Sequence, residues 1–404
     1  MIRRPDMKTM TLLATVSLML AGCSRHVETM EELTDRVFSI AQEQYKAMDE
    51  NLTGTTMPRT AGKDGNLVTS DIRWWCSGFY PGSLWYIYEY TGDDAVKGLA
   101  EKNTWKLEPL KYTGTDHDLG FQMNCSFGNA YRITGDSVYL DPIRESASVL
   151  AARFSPVTGT IRSWDHTRPG CDWKYPVIID NMMNLEHLYN AGLLFGIDTL
   201  KSVALIHANT TMTNHFRPDY SSWHLVDYDP LTGEVRLRQT VQGFSNSSSW
   251  ARGQAWALYG YTMMFRMSGY DCYLTQAENI ADMLVRRLPE DGIPYWDFDS
   301  DRIPDDYRDA SAAAIMASAF IELGTLSNSP EKRNYIDVAE RQLRTLASPE
   351  YLSAPGENAG FLLKHSVGSL PDNSEVDVPL SYADYYFLEA LLRFASLDRS
   401  GSGR

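Results

Sequence analysis

The chain has 404 residues, with 37 Lys and Arg against 52 Asp and Glu, a formal net charge of −15, and no stretch that concentrates its basic residues. This balance argues against nucleic acid and against attraction to anionic lipid headgroups, while the length leaves room for a large core in one or two domains. Any anionic substrate must therefore be met by positive groups placed locally.

From Met7 the sequence reads as a targeting segment. Lys8 supplies positive charge, and residues 9–20 supply a mostly apolar run too short to span a bilayer as a helix. The run ends in Leu20-Ala21-Gly22-Cys23, which resembles the lipobox of bacterial lipoproteins, where the cysteine becomes the lipid-modified first residue. An ordinary signal peptide with an incidental cysteine is the competing reading. The expectation is a lipoprotein signal peptide over 1–22, a lipid anchor on Cys23, a tether over 23–30 and one domain over 31–404. Residues 24–26 lack an acidic run, which favours the periplasmic side of the cell envelope. No later stretch reaches roughly eighteen uninterrupted apolar residues, so the protein reads as anchored rather than spanning. Cys76, Cys125, Cys171 and Cys272 are widely spaced with no C-x-x-C pair, which disfavours a zinc cluster and leaves disulfides and buried thiols both open.

Beyond residue 31 the apolar pattern is helical almost throughout. The spacing predicts helices at 83–90, 121–133, 179–191, 251–267, 310–323 and 383–394. A phrase recurs at helix ends, Thr91-Gly92-Asp93, Thr134-Gly135-Asp136 and Ser268-Gly269-Tyr270. Glycine tolerates the left-handed backbone that stops a helix, and repeated helix–Gly–helix joints suggest stacked hairpins. Strand signals are confined to 223–228 and 234–237, flanking the turn Asp229-Pro230-Leu231-Thr232-Gly233, and read as an insertion. The fold expected is an all-α barrel of paired helices carrying a small β-hairpin. A tetratricopeptide solenoid is the alternative, but its consensus of about 34 residues is absent.

Five stretches set aromatic rings beside carboxylates and amides: 74–85, 115–121, 178–184, 242–256 and 379–386. Sugars offer apolar faces to flat rings and hydroxyls to polar partners, so this mixture suits carbohydrate, although aromatics also simply fill the centre of a barrel. Asp118 opens an apolar helical run, where a capping role is the commonest use of aspartate. Asp180 is embedded after Val177-Ile178-Ile179, an apolar setting that favours the protonated form a general acid requires. Arg252 and Trp256 share a helix face, either as a structural cation–π pair or as a carboxylate-binding fork over a stacking ring. No His, Asp and Glu set has ligand spacing, so neither metal nor cofactor is expected.

Taken together, Ser77–Tyr86, His117-Asp118-Leu119-Gly120-Phe121, residues 178–184, Gln242-Gly243, residues 249–260 and residues 383–391 resemble the unsaturated glucuronyl hydrolases, glycoside hydrolase family 88. The resemblance runs over roughly residues 31–395. It implies an α/α six-hairpin barrel and an enzyme that removes terminal 4,5-unsaturated uronic acid from lyase-generated, glycosaminoglycan-type oligosaccharides. It places the proton donor on Asp180 and the second catalytic carboxyl on Asp118. It places substrate contacts on His117, Trp164, His224, Gln242, Arg252 and Trp256, with Arg252 and Gln242 gripping the uronate carboxylate and Trp256 stacking. No cofactor, metal or nucleic acid is implied, and a monomer is expected. An unsaturated rhamnogalacturonyl hydrolase, an inverting glucanase on a similar barrel and a non-catalytic glycan-binding lipoprotein are the alternatives. Residues 363–377 fall outside the clear resemblance; Lys364, Ser366 and Ser369 there are either sulfate contacts or a solvated loop.

Overall fold

The computed structural model describes residues 27–165, 168 and 170–401. The expected signal peptide and Cys23 lie outside them. The helices in chain order are α1 (Met30–Glu50), α2 (Phe79–Thr91), α3 (Asp94–Trp105), α4 (Leu119–Met123), α5 (Asn129–Thr134) and α6 (Leu140–Ala151). They continue as α7 (Leu185–Phe195), α8 (Asp198–Asn214), α9 (Ala251–Ser268), α10 (Asp271–Arg287), α11 (Ala310–Leu326), α12 (Lys332–Leu346) and α13 (Ser381–Gly401). A π turn, Asn124–Gly128, joins α4 to α5 into one rod. Helix α1 begins with a capping box: Thr29 Oγ1 accepts from Glu32 N, and the Glu32 carboxylate accepts from Thr29 N.

Packing makes two concentric rings. Helices α2, α4–α5, α7, α9, α11 and α13 contact one another in sequence, and α13 closes back onto α2. Helices α1, α3, α6, α8, α10 and α12 lie outside, so each inner helix has an outer neighbour in sequence. This is the α/α barrel expected, and closure of the inner ring rules out an open solenoid. The glycine joints behave as the sequence suggests: Gly92, Gly135 and Gly269 end their helices at φ 69, 69 and 72°. Inner helices approach closely where small residues allow it. A Cβ on Gly82 of α2 would sit 2.5 Å from the Tyr385 ring of α13 and 2.6 Å from the Cys125 carbonyl.

Strands are more numerous than the sequence pattern suggested. They are β1 (Met57–Ala61), β2 (Leu67–Ser70), β3 (Phe154–Ser155), β4 (Thr160–Ile161), β5 (Pro176–Ile178), β6 (Leu225–Tyr228), β7 (Val235–Gln239), β8 (Ser366–Ser369) and β9 (Ser374–Val378). The missed pairs are short, and most of their residues lack clean alternation: β8 is buried at all four positions. The expected hairpin is β6–β7, and β5 joins it to make a three-stranded antiparallel sheet. It is therefore more than an insertion, because β5 leads directly into the segment carrying Asp180.

Between the two ends of the inner ring lies an aromatic plug, with Tyr86, Tyr385 and Tyr386 in ring contact and Phe79 and Trp256 against them. Beyond it, at the end where the inner helices finish, ion pairs line a cavity of about 610 Å³. Arg132 pairs with Glu89 at 2.7 Å, Arg266 with Glu186 at 2.7 Å and Arg393 with Glu322 at 2.9 Å. Cations near helix C-termini are stabilised by the helix dipole, which suits arginines to this end. Cys76, Cys125, Cys171 and Cys272 are free thiols. No helix among the described residues is long and apolar enough to cross a membrane.

Candidate active site

The opposite end of the barrel gathers the chemistry. The strand register Ile178↔Leu225 sets His224 beside Ile179, whose N–H donates to the His224 carbonyl at 2.9 Å. The ladder thus delivers Asp180 and His224 to one place, with His224 Nε2 3.7 Å from Asp180 Oδ2. On the other ring nitrogen, His224 Nδ1 accepts from the N–H groups of Val241 and Gln242 at 3.1 and 3.3 Å. Those bonds fix the tautomer, so Nε2 carries the hydrogen that faces the carboxyl. Burial, then the nearby Arg252 charge, push the His224 pKa down to about 3, so the ring is neutral.

A second His–Asp pair sits alongside. Asn184 Nδ2 donates to His117 Nδ1 at 3.1 Å while Asn184 Oδ1 accepts from Phe121 N at 2.7 Å. His117 Nε2 is thereby left as the donor, 3.6 Å from Asp118 Oδ1. Gly120 makes room for this clamp, since a Cβ there would lie 2.4 Å from Asn184 Oδ1. Burial holds His117 well below the usual imidazole range. Asp118 occupies the N-cap position of α4, yet its side chain makes no capping hydrogen bond. The capping role fails because the preceding turn directs the carboxyl to His117 and towards Asp180.

The two carboxyls are electrostatically distinct. Burial raises Asp180 to about 6, opposed by the positive charge of Arg252 and a smaller effect of the Trp256 N–H. Burial, then the charges of Asp116 and Asp180, raise Asp118 well above the carboxylate range. Asp180 is 9% exposed, and its Oδ2 has no hydrogen-bond partner among the described residues. The same is true of His117 Nε2, His224 Nε2, Trp256 Nε1, Arg252 Nε and the Tyr382 hydroxyl. Buried polar atoms are normally paired, so a convergent set left open is the mark of a ligand site.

Two expectations change. Arg252 is 1% exposed, held between the rings of Trp250 at 4.5 Å and Tyr382 at 5.2 Å. Its terminal nitrogens already donate, Nη1 to the Val367 carbonyl and Nη2 to Gly368 O at 2.7 Å, with Asp309 Oδ2 3.4 Å away. A buried guanidinium must satisfy its donors, and strand β8 supplies the carbonyls. The arginine is therefore a charge and a clamp on β8 more than a free fork. Gln242 joins it, donating from Nε2 to Gly368 O at 3.1 Å. Trp256 is fully buried, with Phe121 at 5.2 Å and Tyr386 at 5.3 Å. Its faces are occupied by the plug, so it offers an N–H edge and cannot stack on a sugar. Trp164 is half-buried, 6.5 Å from the His117 ring and 5.8 Å from Trp173, and is better placed for stacking.

The segment 363–377 is the β8–β9 hairpin, not a solvated loop. Lys364, Ser366 and Ser369 do not converge: Lys364 Nζ donates to Pro349 O at 2.8 Å, Ser366 is buried, and Ser369 Oγ donates to Asp372 Oδ2 at 2.7 Å. Sequence reasoning left Asn184, Trp250, Asp309 and Tyr382 without roles. Asp309 had a readable signal as the cap of α11, accepting from Ser311 N at 3.0 Å. Asn184 had none, because a two-way clamp depends on Gly120 across the barrel. No group of three or more His, Cys, Asp or Glu among the described residues is arranged to hold a metal ion.

Comparison with known proteins gives a consistent picture. Residues 48–386 match the model for Glycosyl Hydrolase Family 88. An unsaturated glucuronyl hydrolase from Formosa agariphila is 47% identical over 326 residues, covering 80% of each chain. An unsaturated chondroitin disaccharide hydrolase from Streptococcus pyogenes serotype M1 is 32% identical over 344 residues, covering 83% of this chain and 85% of that protein. A crystal structure of an unsaturated glucuronyl hydrolase specific for heparin superimposes with a TM-score of 0.88 at 46% identity, covering 91% and 98% of the two chains.

Proposed function

The chain belongs to glycosyl hydrolase family 88, and from that premise we propose that it removes terminal 4,5-unsaturated uronic acid from lyase-generated, glycosaminoglycan-type oligosaccharides. The observation carrying this reading is Asp180, a buried carboxyl raised to about 6 with an open oxygen, beside a cation that does not bond to it. Such a group keeps a transferable proton near neutrality.

The substrate's C4=C5 double bond is conjugated to its carboxylate and is a vinyl ether to the ring oxygen. Asp180 donates its proton to C4, and positive character develops at C5 and the ring oxygen. Water adds at C5, giving up a proton to the Asp180 carboxylate. The hemiketal formed then opens and releases the leaving sugar. Attack is not at the anomeric carbon, so the carboxyl-separation rule of ordinary glycosidases does not apply. His224 orients Asp180, His117 orients Asp118, and Asp118 binds sugar hydroxyls. Arg252 supplies the local positive charge demanded by an anionic substrate and a net charge of −15. The beginnings of α9, α11 and α13 meet here through the contacts of Arg252 with Asp309 and Tyr382, and helix N-termini favour anions.

The test is loss of the near-ultraviolet absorbance of the conjugated double bond across a panel of unsaturated disaccharides, beginning with heparin-derived ones because of the 46% identical relative. Turnover is expected, with kcat/KM falling as pH rises through about 6; the acid must be protonated, so activity is present below its pKa and lost above it. Binding without loss of absorbance would make the protein a glycan carrier. We also propose that Cys23 carries a lipid anchor on the periplasmic side. Its support is the Leu20-Ala21-Gly22-Cys23 sequence. Cys23→Ala is expected to move the protein from the membrane fraction to the soluble one; equal partition of both forms would remove the anchor.

A further inference from the structure

The mechanism above uses two carboxyls, but the turn that presents Asp118 contains a third. Asp116 Oδ1 accepts the Asp118 N–H at 3.0 Å, and Thr115 Oγ1 donates to Asp116 Oδ2 at 3.3 Å. The turn is tied down from the far side. Asp116 bridges Trp164 as an isolated β-pair, and His117 N donates to Ser163 O at 3.0 Å. An aspartate that receives the amide two residues on defines a tight local turn and sets its carboxyl against the backbone of the residue it presents, here near enough for its charge to act on the Asp118 carboxyl.

We propose that Asp116 is a positioning residue of this active site: its carboxyl shapes the turn that presents Asp118 and sets a further acidic group against the Asp118 carboxyl. This inference rests on the function proposed above. The charges facing the cluster do not cancel it. Arg153 is the cation nearby, and it is already bidentate to Asp165, with Nη1 and Nη2 each at 3.0 Å. Its Nη1 also donates to the Gly114 carbonyl and its Nη2 to Ser163 O at 3.3 Å. On the inner side Asp118 faces Asp180, another acid, and the His117 ring, which burial keeps neutral. Arg252 lies on the Asp180 side and lowers that group.

The consequence is a division of labour between like groups. Asp118, facing Asp116, holds its proton more firmly than an ordinary carboxyl and donates a hydrogen bond to a sugar hydroxyl. Asp180, facing Arg252, exchanges its proton with the substrate. Environments that push two titratable groups apart are a general way of assigning such roles.

Two variants separate the turn from the charge. Asp116→Asn keeps the acceptor oxygen for the Asp118 amide and removes the charge. The second, steeper part of the alkaline limb of its kcat/KM profile, where Asp118 loses its proton after Asp180 has, is expected to move down by about one pH unit, the size of effect of a nearby charge, with the Asp180 limb unmoved and KM at low pH near wild type. Asp116→Glu keeps the charge and lengthens the arm, so the steeper part is expected to stay while KM rises. If Asp116→Asn does not fold, Asp116→Ser retains a hydroxyl acceptor and carries the same test. A profile that superimposes on wild type, or an activity lost equally at every pH, would overturn the proposal. Wild-type protein that never bleaches the double bond sinks the functional reading itself; wild-type turnover with the steeper part of the Asn limb unmoved sinks only the role of Asp116.

Discussion

Asp180→Asn is expected to lower kcat by about a thousandfold while the protein remains folded. Asparagine has the same shape and can still present an oxygen to His224 Nε2–H, 3.7 Å away in the native protein, so positioning is retained and only the proton is lost. Stability supplies the control. A carboxyl raised to about 6 in the folded protein costs stability at pH values above its ordinary range, because the folded state disfavours the charged form. Asparagine removes that cost, so thermal unfolding at pH 8 should be unchanged or occur at higher temperature. An active Asp180→Asn enzyme would dismiss this residue as the acid. An inactive one that unfolds early would leave Asp118 as the better candidate.

Arg252→Ala is expected to fail in two measurable ways. KM should rise on the order of a hundredfold, because the positive charge at the site is lost. The fold should lose about 3 kcal/mol, because Asp309, fully buried, is left without its cation, the Val367 carbonyl loses its Arg252 donor and the Gly368 carbonyl keeps only Gln242. Arg252→Lys keeps the positive charge and should recover part of the KM loss, but it should not restore stability, since one ammonium between Trp250 and Tyr382 cannot span two carbonyls as the planar fork does. The decisive comparison is KM against kcat. An unchanged KM would place the uronate elsewhere and reduce Arg252 to its structural contacts with β8.

How much of this was legible in the sequence follows from what each helix touches. The helices anticipated at 83–90, 121–133, 179–191, 251–267, 310–323 and 383–394 all proved to belong to the inner ring. Inner helices are buried on nearly every side, as α11 is from Ala310 to Ile321, and so read as uniform apolar runs. Outer helices such as α12 bury one stripe, Tyr335, Val338, Ala339, Gln342, Leu343 and Leu346, and face water elsewhere, which blurs their ends. The residues at the site were visible because their motifs are local: His117 adjoins Asp118, and Asp180 follows an apolar run. What those residues do was less visible. That Arg252 spends its terminal donors on β8 depends on a strand more than a hundred residues later, and that Trp256 has no free face depends on Phe121 and Tyr386. Pairwise spacing along one helix carries no information about either.

The aromatic plug and the paired arginines beneath it have a consequence for what can enter. A cylinder open at both ends would let a polymer thread through and be cut anywhere along its length. This one is filled by the packed rings of Tyr86, Tyr385, Tyr386, Phe79 and Trp256, so a site on the Asp180 side of them is closed from below, as a well is. A well admits the tip of a chain and nothing from its middle. Tip-only attack is thus set by the shape of the interior, before any hydroxyl or charge is recognised.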